Sequence, residues 1–412
     1  MAHRAMAFPG LALRLCLVGV DRERTGIGTL ESPGKVAAYE TSSCLMDKAR
    51  PGGRGRIIIS RMRKWFFILL AGLAWAAQAR GDAVDDLMRD ALRQHPIPGA
   101  ALAIVRGGRT VKTAAYGMAN LEWQTPATPE TVFEIGSITK QFTASAILLL
   151  AQEGKLSVDD KISKYLKGTP PGWSEISIRQ LLTHTSGLKN YTGLGGFEAS
   201  HRLTQSQFIA QIAVHPLDFP PGEKWAYCNT GYNLLGYIIE NVSGKSYGDF
   251  MEQNIFAPLG MSATTRRDTR AILPFRATGY ETNRAGRFIV RDAELTDIFS
   301  AGALVSTVGD LAKWNAALET DKILTAASRA EIWTPVKLNS GTNHLYGFGW
   351  FLEPWHGHAN IGHSGSTSGF SASLQRFPEV GLTVILLTNS DEFDIATKLA
   401  REIAGLEMQN DK

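Results

Sequence analysis

The amino-acid sequence predicts a mixed α/β fold, in which both ends of the chain build a sheet-and-helix unit and a helical unit is inserted between them. Two patterns carry that expectation. Residues 100–106 and 110–117 are strand-like runs joined by Gly107-Gly108, and strand-like runs return near the other end at 346–352, 359–363, 370–376 and 382–388. Between these groups, helical spacing dominates, as in 139–153 and 231–241. The α/β part is expected at about 80–135 and 290–412, and the helical part at about 136–289.

Each element has its own signals. Val84, Leu87 and Leu92 give 84–94 a helical spacing, which His95-Pro96-Ile97-Pro98-Gly99 ends. Gly107-Gly108 suits a hairpin turn. In 139–153 the apolar positions are Phe142, Ala146, Ile147, Leu149 and Leu150, with Gly154 at the C-terminal end. Residues 178–182 lead into a turn, His184-Thr185-Ser186-Gly187-Leu188. Gly244 closes the helix 231–241, and a further short helix with Asp310 near its start lies within 303–318. After the late strands comes an amphipathic helix, 392–405. No repeat, low-complexity tract or Pro/Ser linker divides the chain.

Composition narrows the function. With 44% hydrophobic and 20% charged residues, the 412-residue chain has globular proportions. The net charge of +4 is uneven: residues 1–79 hold twelve Lys/Arg and five Asp/Glu, a net +7, leaving −3 for the rest. No basic stripe remains to bind nucleic acid. Three cysteines without a C-x-x-C exclude a zinc ribbon or a disulfide scaffold.

The basic segment carries the pattern of an export signal, with a buried or single-span anchor helix as the alternative. Arg63 and Lys64 precede an apolar run, 65–77, and Ala77-Gln78-Ala79 supplies the small residues of a cleavage site. The run is shorter than the roughly 20 residues of a membrane span. Residues 62–79 are therefore expected to be a signal peptide and 1–61 a non-native extension, with translation starting at Met62. The expected mature protein, 80–412, keeps Cys228 alone, has no stable membrane anchor, and is periplasmic or secreted.

Three short patterns carry chemistry. Gly136-Ser137-Ile138-Thr139-Lys140 opens the long apolar helix, so Lys140 projects over the first turn toward Ser137. A desolvated amine there can take the serine proton; a capping serine beside a solvated lysine has the same spelling, and S-x-x-K also occurs at Ser32/Lys35 and Ser186/Lys189. Tyr227-Cys228-Asn229 is the only Y-x-N among ten tyrosines. A tyrosinate at 227 can act as a base, with Asn229 bonded to Lys140 or to a substrate amide; a core tyrosine beside a capping asparagine is the alternative. His363-Ser364-Gly365-Ser366 falls between two expected strands. Gly365 would let a substrate backbone come close, and the Ser366 and Ser137 N–H groups would together form an oxyanion hole; an exposed histidine on an edge strand is the alternative. His184 is read as stabilising its turn. His356 and His358, with no carboxylate pattern nearby, are not read as a metal site.

S-x-x-K at a helix start, then Y-x-N, then an H-x-G triplet on a late strand resembles the serine β-lactamase and penicillin-binding-protein superfamily, most nearly the class C β-lactamase-like serine hydrolases. Phe133-Glu134-Ile135-Gly136-Ser137, Leu181-Leu182-Thr183-His184-Thr185-Ser186-Gly187-Leu188 and Gly231-Tyr232-Asn233-Leu234-Leu235-Gly236 agree with it over most of 85–405. The resemblance implies an antiparallel β-sheet flanked by helices with an inserted all-helical subdomain, the β-lactamase/transpeptidase-like fold, and a site in the cleft between the two. It further implies that Ser137 is acylated, that Lys140 and Tyr227 handle the proton, and that Asn229, His363, Gly365 and Ser366 bind substrate without metal or cofactor.

Class C β-lactamases usually carry Lys-Thr-Gly where this chain has His-Ser-Gly. A histidine is mostly neutral at pH 7, which weakens selection for a carboxylate-bearing β-lactam. The expected function is an exported serine hydrolase cleaving an ester or amide of a small molecule or peptide: a D-amino-acid peptide, a β-lactam-like compound or a short-chain ester. A non-catalytic penicillin-binding sensor or binding module is the alternative.

Overall fold

Strand β1 (Gly99–Arg106) alternates its side chains between two apolar environments, and this explains why its sequence is apolar throughout. Ala100, Leu102 and Ile104 face one buried layer, while Ala101, Ala103 and Val105 face the other. The computed structural model describes residues 82–195, 203–291, 295 and 298–409, which belong to one compact unit; the expected extension and signal peptide, 1–79, lie outside the described residues.

The hairpin partner β2 (Arg109–Asn120) follows Gly107 and Gly108, both at positive φ. After the short β3 (Thr125–Pro126) come β4 (Phe133–Glu134), β5 (Thr265–Arg266), β6 (Tyr280–Thr282), β7 (Phe288–Val290), β8 (Leu304–Ser306), β9 (Val336–Lys337) and β10 (Asn343–His344). The chain ends its sheet with β11 (Ile361–Thr367), β12 (Phe370–Phe377) and β13 (Leu382–Thr388). The main sheet is antiparallel in the order β11-β12-β13-β1-β2-β3, so both ends of the chain build it, with β11 at one edge. A separate three-stranded sheet, β4-β8-β5, sits beside it in sequence order around the insertion.

Helix α1 (Ala83–Gln94) is capped by the Asp82 carboxylate, which accepts the Asp85 N–H at 2.9 Å. In the numbering used here the next helices are α2 (Thr139–Gln152), α3 (Ile178–Leu182), α4 (Gln205–Ala213) and α5 (Asn229–Ser243). Then come α6 (247–259, with a π-helical turn at Glu252–Phe256), α7 (Phe299–Gly302), α8 (Val308–Ala317), α9 (Ala326–Ile332) and α10 (Ile395–Gln409). Val84 and Met88 of α1 and Leu399 and Ile403 of α10 cover one sheet face. The other face joins a larger core containing Phe142 and Ile147 of α2 and Leu235 and Ile238 of α5. Helix α2 is buried nearly all round, so its sequence shows little amphipathicity.

Three local expectations change. Residues 346–352 do not form a strand: Gly349 has φ 80°, the Gly347 N–H donates to the Trp350 carbonyl at 2.9 Å, and the segment doubles back inside the core. Its pairing is limited to isolated bridges, Tyr346 with Phe351 and Phe351 with Gly362 of β11. His363-Ser364-Gly365-Ser366 lies within β11 instead of between strands. The inserted segment is mainly helical but also carries β5, β6 and β7. Among the described residues, no helix is long and apolar enough to cross a membrane.

Candidate active site

Ser137 sits in a single 3-10 turn, Gly136–Ile138, that feeds directly into α2. Lys140 follows in the first turn of α2 and is fully buried, while Ser137 keeps partial exposure. Lys140 Nζ lies 3.0 Å from Ser137 Oγ, 2.8 Å from Asn229 Oδ1 and 2.7 Å from the Ala301 carbonyl oxygen. The last two partners are acceptors that can only receive a proton. They take two N–H groups, and the third position of the nitrogen points at the serine hydroxyl. No buried carboxylate is among these contacts. Burial holds the Lys140 amine well below the ordinary lysine range, against a small opposing pull from Cys228. A neutral amine so placed can accept the Ser137 proton.

Tyr227 and Asn229 enter from the stretch that leads into α5. The Tyr227 ring lies 4.8 Å below Lys140 Nζ and 4.3 Å from the His184 ring. Burial raises the Tyr227 phenol above its ordinary value, with the hydrogen-bonded Ser137 hydroxyl opposing. Burial thus favours the protonated phenol over a tyrosinate, and of the two candidate bases it favours the lysine. Asn229 is oriented by neighbours at both ends. Its side-chain amide donates to Thr192 Oγ1 at 3.2 Å, and its backbone N–H donates to Asn190 Oδ1 at 3.0 Å.

The third pattern arrives on β11. A Cβ at residue 365 would lie 2.0 Å from the Ile135 carbonyl oxygen and 3.0 Å from the Ser137 nitrogen. The close approach that demands glycine here is thus made by the chain's own Ser137 turn. Gly136 is pressed from the other side, since a Cβ on it would lie 2.6 Å from the Ser366 nitrogen. The Ser137 and Ser366 backbone nitrogens accordingly flank the same narrow seam. Thr367 Oγ1 donates to Glu134 Oε2 at 2.7 Å, and Glu134 pairs with the buried Arg267 at 3.3 Å, which ties the end of β11 to the strand preceding the nucleophile turn.

His363 is neither an exposed edge histidine nor an open wall of the cleft: it is 2% exposed. Burial, with the nearby Lys140 as a smaller cause, lowers its pKa to about 3, so it carries no charge at neutral pH. His184, likewise buried and held well below the ordinary histidine range, points its ring away from the 184–188 turn, to the Cys228 N–H and the Tyr346 hydroxyl. Ala301, Asn190 and Thr192 were not legible as site residues. Ala301 contributes a backbone carbonyl, which no side-chain pattern reveals, and Asn190 and Thr192 belong to no motif with a chemical signature of its own. Among the described residues, no group of three or more His, Cys, Asp or Glu side chains is gathered to hold a metal ion.

An antiparallel sheet with a helical insertion, and a serine, lysine and tyrosine meeting where the two join, define the class of β-lactamase/transpeptidase-fold serine hydrolases. Comparisons agree with that class. The Beta-lactamase family model matches residues 84–406. Penicillin-binding protein 4* of Bacillus subtilis (strain 168) is 36% identical over 320 residues, covering 73% of this chain and 69% of that protein. The octameric penicillin-binding protein homologue from Pyrococcus abyssi superposes with a TM-score of 0.68 at 29% identity, covering 79% of this chain and 77% of that one. The D-amino acid amidase from Ochrobactrum anthropi SV3, complexed with L-phenylalanine amide, gives 0.69 at 28% identity over 80% of this chain and 99% of that one. The chain belongs to the β-lactamase and penicillin-binding-protein family of serine hydrolases.

Proposed function

We propose that this protein is an exported hydrolase that cleaves an ester or amide through an acyl-enzyme on Ser137. The observation that carries the reading is the Lys140 amine, buried without a carboxylate and held between two carbonyl acceptors with its remaining position on Ser137 Oγ. Ser137 Oγ attacks the substrate carbonyl carbon and its proton passes to Lys140 Nζ. The developing oxyanion is received by the backbone N–H groups of Ser137 and Ser366. Tyr227, protonated and beside the serine, relays a proton from Lys140 to the leaving amine or alkoxide, which departs as the acyl-enzyme forms. Water then attacks the acyl carbon, its proton returns through the same groups, and Ser137 is released. Asn229 orients both the amine and the substrate.

Substrate chemistry follows from charge. His363 stands where class C β-lactamases place lysine, and it is buried and neutral. The absence of that fixed cation favours D-amino-acid amides or short-chain esters, which lack a carboxylate, over carboxylate-bearing β-lactams, and the likeness to a D-amino acid amidase supports the first of these. The signal-peptide pattern in 62–79 supports a periplasmic or secreted location. The test is labelling of the mature chain with a fluorophosphonate, together with a panel of a p-nitrophenyl ester, a D-amino-acid amide, a D-Ala-D-Ala peptide and nitrocefin. Labelling lost in Ser137→Ala with turnover of the ester or amide is expected. Stable labelling without any turnover would replace the enzyme with a sensor, and nitrocefin turnover rivalling dedicated β-lactamases would overturn the substrate reading.

A further inference from the structure

Four hydrogen bonds connect two walls of the candidate site, the Tyr227–Asn229 segment and strand β11. The Cys228 N–H donates to His184 Nδ1 at 3.1 Å. His184 Nε2 lies 3.1 Å from Tyr346 Oη, and Tyr346 Oη lies 3.2 Å from His363 Nε2. His363 Nδ1 lies 2.6 Å from the Ser364 carbonyl oxygen. The two ends fix the protons. A backbone N–H can only donate, so His184 Nδ1 is a bare acceptor and its proton sits on Nε2. A carbonyl can only accept, so His363 Nδ1 carries a proton and, in the neutral ring, Nε2 is bare. The Tyr346 hydroxyl then accepts from His184 and donates to His363. Tyr232, the neighbouring phenol, commits its own proton to the Leu182 carbonyl at 2.8 Å.

The ends of this chain of bonds are well placed. Cys228 lies between Tyr227 and Asn229. Ser364 lies two residues before Ser366 on the edge strand. His184 adopts φ 59°, a conformation unfavourable for a residue with a Cβ, and this places its ring beneath Tyr227. His184, Tyr346 and His363 are all at most 2% exposed. His184 lies far in sequence from Tyr346 and His363, and none of the three has a hydrogen bond to Ser137 or Lys140.

We propose that His184, Tyr346 and His363 form a proton-ordered strut that sets the spacing between the Tyr227–Asn229 segment and strand β11, and that His184 and Tyr346 are positioning residues for acyl transfer at Ser137. The strut rests on the reading of Ser137 as the nucleophile only for its kinetic consequence; its proton order stands by itself. In this order each of the four bonds has one donor and one acceptor. Losing the middle hydroxyl leaves a donor on His184 and an acceptor on His363 facing each other across a gap, buried and unsatisfied. The two walls then lose their common reference, and misplacement of reacting groups by an ångström can cost about a hundredfold in rate.

The experiment has two arms. In the wild-type mature protein with ¹⁵N-labelled histidine, long-range ¹H–¹⁵N spectra report the tautomers, with assignments from His184→Gln and His363→Gln. The expected result is His184 protonated at Nε2 and His363 at Nδ1, both neutral at pH 7. Either ring in the opposite tautomer, or a cationic His363, overturns the strut. In the second arm, Tyr346→Phe is expected to lower kcat for a p-nitrophenyl ester about tenfold or more with KM changed less than about threefold. An unchanged kcat in a folded Tyr346→Phe variant overturns the positioning role. Should that variant fail to fold, the tautomers of the wild-type protein still decide. If the wild-type protein takes no label at Ser137, the hydrolase reading fails while the tautomer result still stands or falls separately.

Discussion

Lys140 Nζ lies 3.0 Å from Ser137 Oγ while the Ala301 carbonyl grips it from behind at 2.7 Å. The amine cannot turn away from the serine without losing a bond, and nothing anionic is bonded to it to stabilise its charged form. Its lowered pKa has a definite sign for activity. The base works when deprotonated, so kcat/KM rises with pH along a limb set by Lys140 and levels off below the ordinary lysine value of 10.5. A pH series of fluorophosphonate labelling rates measures this limb. A limb at or above 10.5 would remove Lys140 as the base. Lys140→Ala is expected to slow acylation by about 10²–10⁴-fold.

Asn229 tunes the same amine. Its Oδ1 accepts from Lys140 at 2.8 Å, so Asn229→Asp places a carboxylate oxygen where a neutral one stood. The ammonium gains a buried partner and the Lys140 pKa rises. The expected outcome is an acid limb displaced upward by about one unit or more, with slower acylation at pH 7 that recovers at higher pH. An unshifted limb would mean that the limb belongs to some other group.

The pattern of what was legible in the sequence follows from where the information resides. The Ser137/Lys140 pair lies within one helical turn, so spacing alone brings the groups together. Strand β1 was legible because residues 100–106 are apolar on both faces, as a central strand requires. Residues 346–352 misled because a buried turn is as apolar as a buried strand, and the left-handed Gly349 that reverses the chain has no signature beyond being glycine. The Ala301 carbonyl and the His184–Tyr346–His363 connection were invisible for a different reason. One is a backbone group, and the other begins with a bond between residues 162 positions apart, His184 and Tyr346. His363 was placed in the right neighbourhood, but burial is a property of the packed edge and not of the triplet.

Gly365 offers a test of the seam between β11 and the nucleophile turn. A methyl group there would sit 2.0 Å from the Ile135 carbonyl oxygen, a backbone atom that cannot rotate aside. Gly365→Ala must therefore push β11 outward and take the Ser366 N–H away from Ser137. Loss of one oxyanion donor costs about 10²–10³-fold in kcat. The expected result is a fall of that size in ester turnover, with Gly362→Ala as a comparison, since the atoms nearest its new methyl group, from 2.7 Å, belong to the Gln375 side chain and not to backbone. Equal effects of the two substitutions would show that general disturbance of β11, rather than its contact with Ser137, governs the rate.

The buried His363 also links stability to acid. Its pKa falls from 6.5 to about 3 on folding, mainly because burial disfavours the imidazolium. Between those two values the unfolded chain binds a proton that the folded chain does not. Stability is therefore full above pH 6.5, decreases as the pH falls, and stops responding to this group below about pH 3. The loss amounts to a few kcal/mol, on the order of one per pKa unit. His184 is buried beside it with the same direction of shift and adds to the same window. His363→Gln retains an amide donor and acceptor but cannot titrate, so the fall in Tm between pH 6.5 and 4 is expected to be shallower than in the wild-type protein, even if its Tm at pH 7.5 is lower. Parallel Tm-versus-pH curves for the two proteins would show that His363 is already charged in the folded state or open to solvent, contrary to its 2% exposure.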